Sequence, residues 1–366
     1  MTNPDADTIL SALLSYKNVM LSGAPGTGKS LLLNAVAARF LKGGAGTSLS
    51  PPRHDPSGTI PVPRSYGASR QVFRTTFHQN THYRDMLTGL APDVREGAKR
   101  DFRVVEGILY RASEHARKDG GSALLVIDEI NRGPAVQAFG GAIVGIEADK
   151  RLGEDSEKTD KTQPFEILDP ETGDLVEYAL PDRLYILAAM NQADASIDPM
   201  DVAFLRRWHG MRIRPDSQVL ADFLGIDVLP EASSLPPEPR VPADVLSAMV
   251  LAFNAINERI SLGRSSDFQI GHGVLMGSTS PELSDVPNAL TYAASRWNRV
   301  MEHIKEVFFG DDRGLATVLN ASHPDSPIKL EDRFFGAQTV SFLAVPNLEG
   351  TAIYDVMRAV ALDAPG

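Results

Sequence analysis

The chain has 366 residues, enough for a large core and two domains, and its 43% hydrophobic and 23% charged residues are the mix of an ordinary soluble globular protein. A formal net charge of −11 excludes adhesion to nucleic acid through the general surface, so any DNA contact needs a local basic stripe such as a ring pore. The lack of cysteine excludes disulfides and thiolate metal sites. The acidic, polar residues 1–7, with no run of transmembrane length after them, predict a cytoplasmic protein without a membrane partner.

In chain order, residues 8–16 put Ile9, Leu10, Leu13 and Leu14 on one helical face, with no independent domain before them. The apolar run Val19 to Leu21 reads as a strand. It delivers the backbone into Gly23-Ala24-Pro25-Gly26-Thr27-Gly28-Lys29-Ser30, and a helix-forming run from Leu31 to about residue 40 follows. Strand, glycine loop and helix in that order form a P-loop. Its glycines let backbone N–H groups curl around phosphate oxygens, and the helix aims its positive dipole end at the same anion. Lys29 would reach the β- and γ-phosphates and Ser30 would ligate Mg²⁺, so Gly23 to Leu31 are the expected contacts of a nucleoside triphosphate.

Residues 41–70, rich in Gly, Pro and Ser, read as a long loop or an insertion ordered on assembly, and 72–77 as a second strand. A short helix is expected over 83–90. A longer one is expected over 104–118, with Ile108, Leu109 and Ala112 on its buried side. Residues 123–127 are an unbroken apolar strand expected beside the P-loop strand, and Asp128-Glu129 stand at its C-terminal edge, where open α/β sheets bind ligands. A helix over 135–148 comes next. An insertion at 153–181 then carries a hairpin, 165–168 with 175–179, around the Pro and Gly of residues 169–173. Another apolar strand, 184–189, ends at Met190-Asn191, and a helix over 198–208 ends with Arg206 and Arg207.

Five prolines between 229 and 242 exclude a helix there and mark a connection near a domain boundary. Residues 243–260 and 287–309 read as long helices, the second with Leu290, Ala294, Trp297, Met301, Ile304 and Val307 in register. The expected architecture is an α/β nucleotide-binding domain with a parallel sheet over 1–214, interrupted by insertions at 41–70 and 153–181. A mainly helical lid domain follows over 215–366.

Asp128 is the expected Mg²⁺ carboxylate, usually acting through water, and Glu129 the residue that polarises the attacking water. Asn191 could orient that water and sense the γ-phosphate, or merely cap its strand. Arg206 and Arg207 are either solvated surface charge or include an arginine finger for a neighbouring subunit's nucleotide, with no choice between them. His78, His82 and His272 fit no zinc spacing and read as hydrogen-bonded structural histidines.

The run Leu-Leu-Val-Ile-Asp-Glu-Ile-Asn-Arg at 124–132, with Phe139, Glu147 and Asp149-Lys150-Arg151, resembles the Walker B region of McrB-type AAA+ NTPases. Met190-Asn191-Gln192-Ala193-Asp194-Ala195-Ser196 is similar to that family's Met-Asn-Thr-Ala-Asp-Arg-Ser signature, and Leu205-Arg206-Arg207-Trp208 to its Leu-Arg-Arg-Arg-Phe helix end. Further matches are Phe77-His78 with Tyr83, Asp85, Gly89 and Pro92, then Asn257 to Ile260, Gly263 and Phe268-Gln269-Ile270-Gly271-His272.

The resemblance spans about residues 19–320 and implies an AAA+ P-loop core with a helical C-terminal lid. It also implies assembly into a ring, a hexamer in this family, with nucleotide sites between subunits, and a motor for a separately encoded McrC-like or nuclease effector in restriction or anti-phage defence. DNA contact would come through that partner or the pore. The chain departs from the pattern at Gln192 and Ala195 and leaves no room for the family's preceding DNA-reading domain. ATP is expected from the superfamily and GTP from the best-known members. Asn191-Gln192-Ala193-Asp194 follows a strand in the sensor position, so its likeness to a guanine-reading motif does not decide between them. The competing readings are a MoxR-like protein-remodelling chaperone and a nucleotide-binding scaffold without turnover.

Overall fold

Strands apolar at every position must be covered on both faces, and three such strands set the architecture. The computed structural model describes residues 3–42, 69–94, 101–191, 200–281, 283–336 and 338–362. The chain divides into two compact units, Met1–Gly23 with Lys29–Ile213, and Ala24–Gly28 with Arg214–Gly366.

The first unit runs α1 (Ala6–Tyr16), β1 (Asn18–Gly23), α2 (Lys29–Lys42), β2 (Ser69–Thr76), α3 (Tyr83–Met86), β3 (Thr88–Pro92), β4 (Phe102–Glu106), α4 (Ile108–Arg117) and β5 (Gly121–Asp128). It continues through α5 (Ala135–Phe139), α6 (Ala142–Gly145), β6 (Phe165–Leu168), β7 (Leu175–Tyr178), β8 (Leu184–Asn191), α7 (Val202–Leu205) and β9 (His209–Arg212). Five strands form one parallel sheet in the order β2-β5-β8-β1-β9.

Alternate residues feed opposite cores. Val19, Leu21, Leu124, Val126 and Leu187 pack with Ile9, Leu13, Val36 and Phe40 of α1 and α2. Met20, Leu125, Ile127, Ile186 and Ala188 pack with Leu109, Ala112, Phe139 and Phe204.

The sheet order corrects one expectation: β5 does not lie beside the P-loop strand, because β8 pairs with both. β1, β5 and β8 are each buried on both faces, so their patterns say that they are central without saying in what order. The consequence is functional. Asn191 stands level with Gly23, at the edge where the loop begins.

Several helices are shorter than their patterns predict. The helix expected over 83–90 ends at Met86 and the one expected over 104–118 starts at Ile108, because Thr88–Pro92 and Phe102–Glu106 pair as an antiparallel hairpin. Gly107 serves as the N-cap, its N–H donating to the Leu87 carbonyl. Gly140, at φ +49°, and Gly141 break the helix expected over 135–148 into α5 and α6. The helix expected over 198–208 is described only as Val202–Leu205, with Asp201 capping it, and 192–199 lie outside the described residues. The loop expected over 41–70 lies outside them from 43 to 68. The expected hairpin is present as β6 and β7.

A buried polar knot ties the first unit together. The Arg151 guanidinium, 1% exposed, donates to the Ile146 carbonyl at 3.0 Å, to the Leu184 carbonyl and to Asn18 Oδ1 at 2.5 Å. The Asn18 amide donates in turn to the carbonyls of Ile146 at 2.6 Å and Arg207 at 3.2 Å. Burial pulls the Arg151 pKa down to about 10, still charged at neutral pH. Arg151→Met is expected to strand these acceptors and lower stability by about 3–5 kcal/mol. Denaturant unfolding followed by Trp208, in a Trp297→Phe background, would read the loss; an unchanged midpoint would mean that the knot contributes nothing.

The second unit comprises α8 (Ser217–Phe223), α9 (Pro242–Gly263), α10 (Val286–Val307), α11 (Asp312–Val318), β10 (Lys329–Phe335), β11 (Gln338–Ala344) and α12 (Thr351–Ala361), besides Ala24–Gly28. Its core gathers Phe253, Ile256, Trp297, Ile304, Ile353 and Tyr354. The antiparallel pair β10 and β11 interrupts the expected run of helices, and Pro242 opens α9 at a position that lacks no hydrogen bond by being proline. Contrary to the sequence expectation, α9 is long and apolar enough to cross a membrane; most of its apolar stretch, however, is buried in this core.

Candidate functional site

The P-loop sequence contributes to both units. In the second unit, Gly26 and Gly28 hold φ of +78° and +86°, the left-handed region that a glycine adopts without strain, and the Thr27 hydroxyl closes the turn on the Ala24 carbonyl at 2.8 Å. The loop's carbonyls are engaged: Pro25 O accepts from Gly271 N–H at 3.0 Å and Gly26 O from Gly273 N–H at 2.9 Å. The N–H groups of Gly26, Thr27 and Gly28 donate to no group among the described residues. A turn with its acceptors satisfied and its donors free fits an anion.

In the first unit, the C-terminal edge of the sheet collects the polar residues. Lys29 is 7% exposed, and its Nζ donates to the Gly23 carbonyl at 2.9 Å. Burial pushes its pKa down to about 8, against the pull of the Glu129 and Asp128 carboxylates. Ser30 Oγ donates to Asp128 Oδ2 at 3.1 Å. This hydroxyl–carboxylate pair suits Mg²⁺, which takes few protein oxygens and completes its shell with phosphates and water.

Glu129 sits in left-handed backbone at φ 52°, ψ 44°, an uncommon conformation for a non-glycine residue; Lys17, Ser156 and Asn320 also have positive φ. Its carboxylate accepts from Asn191 Nδ2 at 2.6 Å on Oε1 and from Arg132 Nε at 3.2 Å on Oε2. Asn131 Nδ2 donates to the Asn191 carbonyl at 2.8 Å, fixing the end of β8 to the turn after β5.

Arg206 and Arg207 separate. Arg207 Nε lies 3.0 Å from Glu147 Oε1, its Nη1 donates to the Ala203 carbonyl, and its side chain is only 19% exposed. Arg206 is exposed and makes no ion pair among the described residues. Each of the three histidines has a local hydrogen-bonding or capping role. His78 Nδ1 accepts from Asn80 N–H, His82 caps α3, and His272 Nδ1 accepts from Asp216 N–H.

A family model described as AAA domain, dynein-related subfamily, matches residues 65–208. The Escherichia coli K12 type IV methyl-directed restriction enzyme EcoKMcrB subunit is 27% identical over 75% of this chain and 52% of its own length. The Bacillus subtilis type II restriction enzyme BsuMI component YdiS is 26% identical over 52% of this chain and 55% of its own. Residues 65–208 carry an AAA domain, and the chain is similar to McrB-type restriction-system subunits. It spans about half the length of the curated relatives it matches. Among solved structures, a putative ATPase from Cytophaga hutchinsonii aligns over 85% of this chain and 77% of that one, at 15% identity and a TM-score of 0.32.

Several residues at the candidate site escape a reading of the sequence alone. Asn131 and Arg132 stand in the Asp-Glu-Ile-Asn-Arg run, but their contacts with Asn191 and Glu129 depend on the β5-β8 pairing. Asn257 brackets Ile270, accepting its N–H at 2.6 Å and donating to its carbonyl at 3.0 Å. That holds Gly271 to Gly273 against the phosphate turn. The clue available in sequence was the spacing of Asn257 and the Ile-Gly-His run.

Proposed function

We propose that the chain hydrolyses ATP, with GTP as the alternative substrate, at sites shared between subunits of a ring, and that the ring powers a separately encoded McrC-like or nuclease effector in restriction or anti-phage defence. The observation that carries this reading is the meeting of Lys29, the Ser30–Asp128 pair and the Asn191–Glu129 pair at one sheet edge. The names of the two restriction-enzyme relatives support the defence assignment.

Gly23 to Leu31 cradle the phosphates, with Lys29 over the β- and γ-phosphates. Ser30 and Asp128 would hold Mg²⁺, which neutralises phosphate charge when bound. Glu129 withdraws a proton from the attacking water while Asn191 orients the carboxylate and the water. An arginine from the neighbouring subunit stabilises charge on the transferring phosphoryl group. Arg206 suits that role better than Arg207, whose guanidinium is committed to Glu147.

Equilibrium titration with MgATP and MgGTP tests the reading. Lys29→Ala is expected to weaken binding by about 100-fold or more, since it removes a charged contact with the phosphates. The wild-type protein should also lose affinity as pH rises above about 8, the free Lys29 value. Bound phosphates raise that pKa, so binding is strongest where Lys29 is already protonated and weakens by up to about tenfold per pH unit above it. Affinity indifferent both to Lys29 and to pH between 7 and 9.5 would contradict the phosphate role.

A further inference from the structure

Glycines in the second unit allow the backbone after Ile270 to lie directly on the phosphate turn. A Cβ at Gly271 would collide with the Gly26 carbonyl carbon and the Pro25 oxygen, and one at Gly273 would lie 2.9 Å from Gly26 O. Between them stands His272, 8% exposed, with Nε2 3.9 Å from the position a Cβ would take on Gly28.

The ring's tautomer follows from its other nitrogen. Asp216 N–H donates to Nδ1 at 3.2 Å, so Nδ1 is an acceptor and the proton of the neutral ring resides on Nε2. Burial lowers the His272 pKa, with the Asp216 carboxylate pulling the other way. Among the described residues Nε2–H has no hydrogen-bond partner, and the atom stays open to solvent beside a turn whose own amides are unsatisfied. An incoming anion can exchange water on that donor for a charge-assisted hydrogen bond.

We propose that His272 is a nucleotide-binding residue whose Nε2–H donates to a phosphate oxygen of the nucleotide held by the Gly26–Gly28 turn. The inference rests on the P-loop reading above and adds to it a ligand contributed by the segment that clamps the loop. Asn257, by fixing Ile270, and Asp216, by fixing the tautomer, are the positioning residues.

The test is equilibrium titration of the full-length chain with MgADP, MgATP and MgGTP, using three His272 variants and Lys29→Ala. His272→Ala is expected to weaken binding about 10- to 100-fold, the range for a hydrogen bond to a charged group. His272→Asn keeps an acceptor for Asp216 N–H but cannot reach the phosphate, and should be as weak as the alanine variant. His272→Gln carries an N–H donor at the distance of Nε2 and should stay within about threefold of wild type. Recovery by asparagine but not glutamine would assign His272 to capping the α8 segment and overturn the proposal. Wild-type affinity in all three variants would do the same, while a Lys29→Ala loss in that experiment would leave the P-loop reading intact. If wild type binds none of the nucleotides, the P-loop reading fails first.

Discussion

Glu129→Gln is expected to retain nucleotide while hydrolysis falls by about 10²–10⁴-fold, the usual contribution of a positioned general base. Glutamine preserves the size of the side chain and can still accept from Asn191, so the 2.6 Å contact at Oε1 has a neutral counterpart. What disappears is the capacity to take a proton. Asn191, Arg132 and the 3₁₀ turn after Glu129 hold its carboxylate in place in the wild-type chain. Single-turnover measurement with pre-bound nucleotide separates the effects. A slow chemical step with unchanged affinity is the expected result, whereas hydrolysis at the wild-type rate would assign the water-activating role to another group.

The second large effect falls on the arginine pair and divides it. Arg206→Ala should leave affinity within about threefold and cut turnover by about 10³-fold, within the range of an arginine finger and equal to roughly 4 kcal/mol of transition-state stabilisation. Arg207→Ala removes the partner of Glu147 and a donor to the Ala203 carbonyl, both in the first unit. Its primary consequence should therefore be a lower melting temperature. Thermal unfolding and steady-state rates on both variants decide the matter. Loss of turnover in Arg207→Ala with an unchanged melt, and full turnover in Arg206→Ala, would reverse the assignment.

Legibility in the sequence followed the kind of information each feature needs. The P-loop was readable because its glycines, lysine and serine are consecutive and their roles follow from local backbone geometry. The Asp128-Glu129 edge and the Asn191 strand end were readable because an apolar run with polar residues at its C-terminus locates them without knowledge of neighbours. The order of β1, β5 and β8 was not, since three strands buried on both faces carry the same pattern, and with it went the Asn191–Glu129 contact. Short-range signals also misled where tertiary pairing intervened: Val104 and Val105 suit a helix face or a strand, and pairing with Gly89 and Leu90 settled the matter. His272 looked like an ordinary structural histidine because its relation to Gly28 joins residues 244 positions apart.

Mixing two inactive variants tests whether each nucleotide is completed by two subunits. Glu129→Gln and Arg206→Ala chains, each near zero alone, should regain up to about a quarter of the wild-type hydrolysis rate at equal proportions. Random assembly then gives about one seam in four an intact Glu129 from one protomer and an intact Arg206 from the next. A mixture that stays inactive at every ratio, although the chains co-assemble, would contradict the shared site.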